Sequence, residues 1–198
     1  YAAGVMDLTT VLEAIQKRAE VMENAAKLSN GAMSAVLGLT SDKVEECLAT
    51  MSAHGVVQIA NYNAPEQIVI TGEAEAVNLS TTLLKEAGAK RVIPLSVSGA
   101  FHSRLMKSAA IEFASFIANL TLNDAKIPVI TNIDAKCETK AEVFREKMPK
   151  QICSSVYWTQ TIKFLISEGV DTFFEIGQGK VLAGLNKKIS TNITTYNI

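Results

Sequence analysis

Between Gly31 and Leu95 the hydrophobic period of the chain switches repeatedly, and the order of the switches leaves few folds open. Residues 32–39, 56–62, 67–71 and 90–95 are short apolar runs of strand length, rich in Val and Ile. Residues 41–53, with Ser41 as N-cap, and 73–87, closed by Gly88, repeat their apolar positions at helical spacing. The order βαββαβ is that of a ferredoxin-like split βαβ unit. We expect this unit to span residues 29–95 and to interrupt a larger α/β domain made of residues 1–28 and 96–198. In the second flank the pattern predicts a helix at 102–120, a strand at 128–132 and helices at 141–148 and 158–167. A strand at 172–176 and a last helix at 180–189 follow.

The first flank is mostly one helix. Tyr1-Ala2-Ala3-Gly4 has the look of a last helical turn closed by a glycine, so the chain is expected to begin within an element. Asp7 or Thr9 then caps a helix whose Leu8, Val11, Leu12, Ile15, Ala19 and Met22 share a face. On that wheel Lys17 points away from the stripe, while Arg18 lies on its edge, about 60° from the centre. Arg18 is therefore expected to reach an interior cleft, and Lys17 is not.

Composition removes several function classes. The formal charge is −1 and the basic residues are spread along the chain, so nucleic acid is not an expected partner. No apolar run reaches the roughly 18 residues of a membrane span. Cys47, Cys137 and Cys153 are odd in number and form no CxxC pair, which disfavours a disulfide framework or a zinc site. We read them as reduced thiols and expect a cytoplasmic protein.

Of the two histidines, His54 falls in a turn and reads as a solvated loop residue. His102 stands in VSGAFHSRLM, where an apolar run stops and a helical pattern starts. A histidine at such a junction is commonly an ordinary packed or surface residue. Open α/β sheets, however, place their sites at the C-terminal ends of parallel strands. A helix N-terminus there would also favour the neutral imidazole that a general base needs. Gly177-Gln178-Gly179-Lys180 lacks the spacing of a phosphate-binding loop and reads as a tight strand-to-helix turn.

VSGAFHSRLM resembles the histidine motif of the malonyl-CoA:acyl carrier protein transacylases and of acyltransferase domains in polyketide and fatty acid synthases. The likeness continues through VLEAIQKRAEVM, NYNAPEQIVITGE, NIDAKCET, QICSSVYW and EGVDTFFEIGQGKVLAGLNKKI, in that order. It implies an α/β; α/β-hydrolase-like acyltransferase core with an inserted ferredoxin-like (βαββαβ) subdomain. It also implies ping-pong transfer of a malonyl group from malonyl-CoA to the pantetheine thiol of acyl carrier protein, through a serine ester. By the same resemblance His102 is the base, oriented by the backbone carbonyl of Gln151, and Arg18 holds the malonyl carboxylate. Asn63 and Met22 match residues near the family's pocket. From the helix alone, Arg18 could equally form a salt bridge with Glu20 or Glu23. No cofactor or metal is implied, and a monomer is expected.

The departures are specific. No G-x-S-x-G occurs in these 198 residues, so the serine and its oxyanion donors are absent from this chain, which is expected to be inactive alone. Ala100 and Gln178 stand where the family commonly has proline. Two other readings stay open: an acyltransferase of a polyketide pathway, or a non-catalytic ferredoxin-like binding module.

Overall fold

The Asp7 carboxylate starts the first helix, α1 (Leu8–Leu28), by accepting the Thr10 N–H at 2.8 Å, one of the donors a helix start leaves open. The structure, a computed structural model, describes residues 1–198. Ahead of α1 the chain forms turns rather than a helix, with Gly4 at φ +79° and its N–H donated to the Tyr1 carbonyl.

Helix α1 buries a different face from the expected one. Ala14, Val21, Ala25 and Ala26 are buried, whereas Leu8, Leu12 and Ile15 are 54%, 58% and 59% exposed. The partner explains the choice. Helix α4 (Lys107–Ile117) meets α1 with Ala109, Ala110 and Phe113, and alanine against alanine lets two helices close where branched side chains would hold them apart. Lys17 stays outside the cleft that Arg18 lines. It reaches across to Glu112 of α4 at 2.7 Å, and to Glu20 at 3.0 Å.

The six expected elements follow in the expected order: β1 (Gly31–Leu37), α2 (Ser41–Ala49), β2 (Val57–Ala64), β3 (Gln67–Glu73), α3 (Ala74–Glu86) and β4 (Arg91–Pro94). Their strands form one sheet in the order β2-β3-β1-β4, with every neighbour antiparallel. Val36 of β1 lies opposite Ile68 on one side and Val92 on the other. These residues join Val44 and Leu48 of α2 and Val77 and Leu84 of α3 in one core, so both helices cover the same face. Helix α2 stops at Ala49, and a 3₁₀ turn over Ser52–His54 carries His54. Its cap is Thr40 rather than Ser41, because the Thr40 hydroxyl accepts the Lys43 N–H.

A second core, centred on Phe113, joins α1, α4 and Ile152. The predicted strand at 128–132 shrinks to β5 (Val129–Ile130), paired antiparallel with β6 (Cys137–Glu138). Then come α5 (Ala141–Lys150), α6 (Trp158–Ser167), β7 (Thr172–Glu175), α7 (Val181–Ile189) and β8 (Thr194–Asn197), the last parallel to β7. The expected helix at 102–120 begins later, after a 3₁₀ turn over Arg104–Met106. No helix is long and apolar enough to cross a membrane.

The edge of β2 ties the sheet to the second core. Tyr62 donates its N–H to Val156 O at 2.9 Å, Val156 donates to Ala60 O at 2.7 Å, and the Ser155 hydroxyl donates to Ile59 O at 2.6 Å.

Candidate functional site

His102 closes the turn that follows β4. Strand β4 runs antiparallel to β1, so the expectation of a parallel strand ending at the histidine is corrected; the Leu95 N–H still donates to Met33 O at 2.9 Å, and the chain then passes the start of β1 at Gly31 on its way to His102. His102 is one of two non-glycine residues at positive φ, +60°. Its N–H donates to Ile152 O at 3.2 Å. Its Nδ1 lies 3.0 Å from Gln151 O and 3.1 Å from Ser154 O. Both are carbonyls, which only accept, so the geometry requires a proton on Nδ1 and leaves the Nε2 lone pair free to take one. Gln151 is the C-cap of α5, whose last carbonyls have no partner within the helix, and Ser154 lies in the turn that follows it.

Burial pulls the His102 pKa below its usual value, and the positive charge of Arg18 acts in the same direction. The two carbonyl bonds oppose both effects. Burial is thus the first cause favouring the neutral form, and α4 itself starts five residues later, after the 3₁₀ turn over Arg104–Met106.

Arg18, Met22, Glu23, Lys27, Ser98 and Phe101 line a cleft of about 420 Å³ beside this turn. Each acid that could have neutralised the guanidinium is engaged elsewhere: Glu20 pairs with Lys17 at 3.0 Å, and Glu23 pairs with Lys27 at 2.8 Å. Arg18 makes no ion pair, and burial lowers its pKa with no carboxylate to offset it. An unneutralised guanidinium in a half-buried cleft is a receptor for an anion, and its planar fork suits a carboxylate. Met22 thus shares the cleft with Arg18. Asn63 does not line it; it lies on β2, within an irregular stretch between Tyr62 and Ala64.

Two contributors have no signal in the sequence. Ser154 acts through its carbonyl, which every residue has. Gln58, on β2, hydrogen-bonds the backbone around His102 and reads in the sequence as one more strand residue.

Elsewhere, Gly177 and Gly179 adopt φ +130° and +94° in the turn before α7. The N–H groups of Leu182 and Ala183 already donate to the Glu175 carboxylate at 3.0 and 2.8 Å, so that helix start is filled from within the chain. A larger hollow of about 500 Å³ between α7 and β8 is lined by lysines, threonines and Ser190, with no histidine or acid beside them.

The sequence profile of the acyl transferase domain family matches residues 1–192, which hold both the His102 turn and the Arg18 cleft. The chain belongs to that family. Over all 198 residues it is 43% identical to the malonyl CoA-acyl carrier protein transacylase of Bacillus subtilis (strain 168), of which it covers 62%. It superposes with TM-score 0.96 on an acyl carrier protein S-malonyltransferase from Vibrio cholerae O1, at 37% identity, covering 99% of this chain and 64% of that one. A malonyl-transacylase solved in complex with its type II PKS acyl-carrier protein matches with TM-score 0.95 at 35% identity, covering 99% of this chain and 63% of that one. The chain thus spans less than two thirds of the length of these relatives.

Proposed function

We propose that this chain carries the base and the carboxylate receptor of a malonyl-CoA:acyl carrier protein transacylase, whose serine nucleophile lies outside these 198 residues. The observation that carries the reading is the unpaired Arg18 in a cleft beside His102, whose Nδ1–H is held by two carbonyls. In this account His102 Nε2 takes the serine proton as the hydroxyl attacks the malonyl thioester, and CoA leaves as the thiol. The pantetheine thiol of acyl carrier protein then attacks the malonyl-serine ester, and the serine recovers its proton. Two carbonyls do for the imidazole what a buried carboxylate does in the Ser-His-Asp arrangement: they fix the tautomer. Arg18 receives the free malonyl carboxylate, and Met22 and Phe101 give it an apolar wall; Asn63 lies outside that cleft and has no part in this account. No metal or cofactor takes part.

The same reading assigns residues 29–95 to a ferredoxin-like subdomain, and residues 1–28 and 96–198 to an α/β-hydrolase-like core. The antiparallel β2-β3-β1-β4 order with two helices on one face supports the first assignment. A cytoplasmic monomer that serves fatty acid synthesis completes the proposal. Without the serine, the isolated chain forms no acyl-enzyme. The test is His102→Asn in the complete protein, because asparagine tolerates the left-handed backbone. Malonyl transfer should fall by the roughly 10²- to 10⁴-fold that general-base catalysis supplies, with the fold intact. Wild-type turnover in the folded variant would contradict the role.

A further inference from the structure

We propose that Gln58 is the positioning residue of the histidine: its side-chain amide clamps the backbone on both sides of the His102 side chain and holds it in its left-handed conformation. The inference rests on His102 acting as the base. Gln58 Nε2 donates to the His102 carbonyl at 3.4 Å, and Gln58 Oε1 accepts the Arg104 N–H at 3.2 Å. The amide satisfies both at once, since its NH2 donates to a carbonyl, which can only accept, and its oxygen accepts from an N–H, which can only donate. A carboxylate at this position would face the His102 carbonyl with nothing to donate.

The clamp matters because of where it bears. At φ +60° a residue with a Cβ is in a disfavoured conformation and keeps it only if its surroundings fix it. The His102 N–H is fixed by Ile152 O, and its carbonyl has Gln58. The other end of the clamp is rigid. Gln58 sits opposite Thr71 in the sheet register, and the adjacent Ile59 is buried in the sheet core, so alternation turns Gln58 toward the histidine.

Strand β2 also fixes the acceptors. Its Ile59 and Ala60 carbonyls bind Ser155 and Val156, next to the Ser154 carbonyl that accepts from His102 Nδ1. One strand therefore sets both partners of the imidazole bond, the carbonyl through its backbone and the histidine through Gln58. If the clamp is lost, the turn relaxes toward ordinary φ and Nδ1 drifts from its carbonyls, while Arg18 and the cleft are untouched.

The experiment compares Gln58→Leu and Gln58→Glu with the wild-type complete protein, using His102→Asn as the floor and thermal melting as the check on folding. Gln58→Leu should lower kcat by about tenfold or more and leave KM for malonyl-CoA unchanged, since a misplaced catalytic group costs turnover rather than binding. Gln58→Glu keeps the acceptor for the Arg104 N–H and should fall between. In ¹⁵N spectra the His102 ring should lose its single Nδ1–H tautomer in Gln58→Leu. A wild-type kcat in Gln58→Leu with His102→Asn at the floor overturns the clamp and leaves the His102 role standing. Wild-type turnover in His102→Asn overturns the role itself. Should Gln58→Leu fail to fold, Gln58→Glu decides: an unchanged kcat overturns the clamp, and a lowered kcat with unchanged KM supports it.

Discussion

His102 is surrounded by three influences of different sign, and their balance sets the pH at which the site can work. Burial and the Arg18 charge disfavour the imidazolium, whereas the carbonyls of Gln151 and Ser154 favour it, and the net direction is downward. A base whose pKa is lowered stays neutral to lower pH. The acidic limb of kcat/KM in the complete protein should therefore lie below the usual histidine value of about 6.5; a limb above that value would contradict the assigned surroundings. At this scale the sequence is legible where chemistry needs a rare side chain. The motif around His102 is visible, and so is an arginine near an apolar stripe. The Leu8, Leu12 and Ile15 stripe that predicts its reach is nevertheless exposed, and Arg18 lies on the face of Ala14, Val21 and Ala25 instead. A helical period announces apolar faces without saying which of two neighbouring ones a partner will cover. The Gln151 and Ser154 carbonyls are backbone groups and Gln58 is an unremarkable polar strand residue, so only packing reveals what they hold.

The elements deliver these residues through close backbone approaches. A Cβ at Gly31, the first residue of β1, would stand 2.4 Å from the Ala100 nitrogen, and one at Gly99 would stand 2.6 Å from the Ala26 Cβ. The turn bearing His102 is thus wedged between the start of β1 and the end of α1. Gly31→Ala must push that turn away, because the obstacle is backbone rather than a flexible side chain. Turnover in the complete protein should fall while KM for malonyl-CoA changes little, and the melting temperature should drop with a stability cost typical of overpacking, about 1–3 kcal/mol. Wild-type stability and rate would show that the turn can yield. Elements with a strong period were readable in advance: four strands and two helices in the sheet region, and α6 to the residue. The strand expected at 128–132 is present but only two residues long, whereas β6, also two residues, and the polar β8 (Thr194–Asn197) have neither the length nor the alternation that would set them apart from loop.

At the scale of the whole molecule, the fold brings α1 of one flank, the turn after β4 and the end of α5 to one place, with β2 as the strap between the two cores. The proposed function gives that place two tasks, proton transfer at His102 and recognition of a carboxylate at Arg18. The second task is tested most directly by kcat/KM for malonyl-CoA and acetyl-CoA in the complete protein, in wild type and in Arg18→Ala. A charge-assisted pair in a half-buried cleft contributes on the order of 1.5 to 3 kcal/mol, which is a fall of about ten- to more than a hundredfold for malonyl transfer. Acetyl-CoA has no carboxylate to lose, so its kcat/KM should hold or rise and the two preferences should cross. Arg18→Lys, which keeps the charge without the fork, should restore malonyl transfer only in part. An equal fall for both thioesters would mean that Arg18 supports the fold and does not read the substrate.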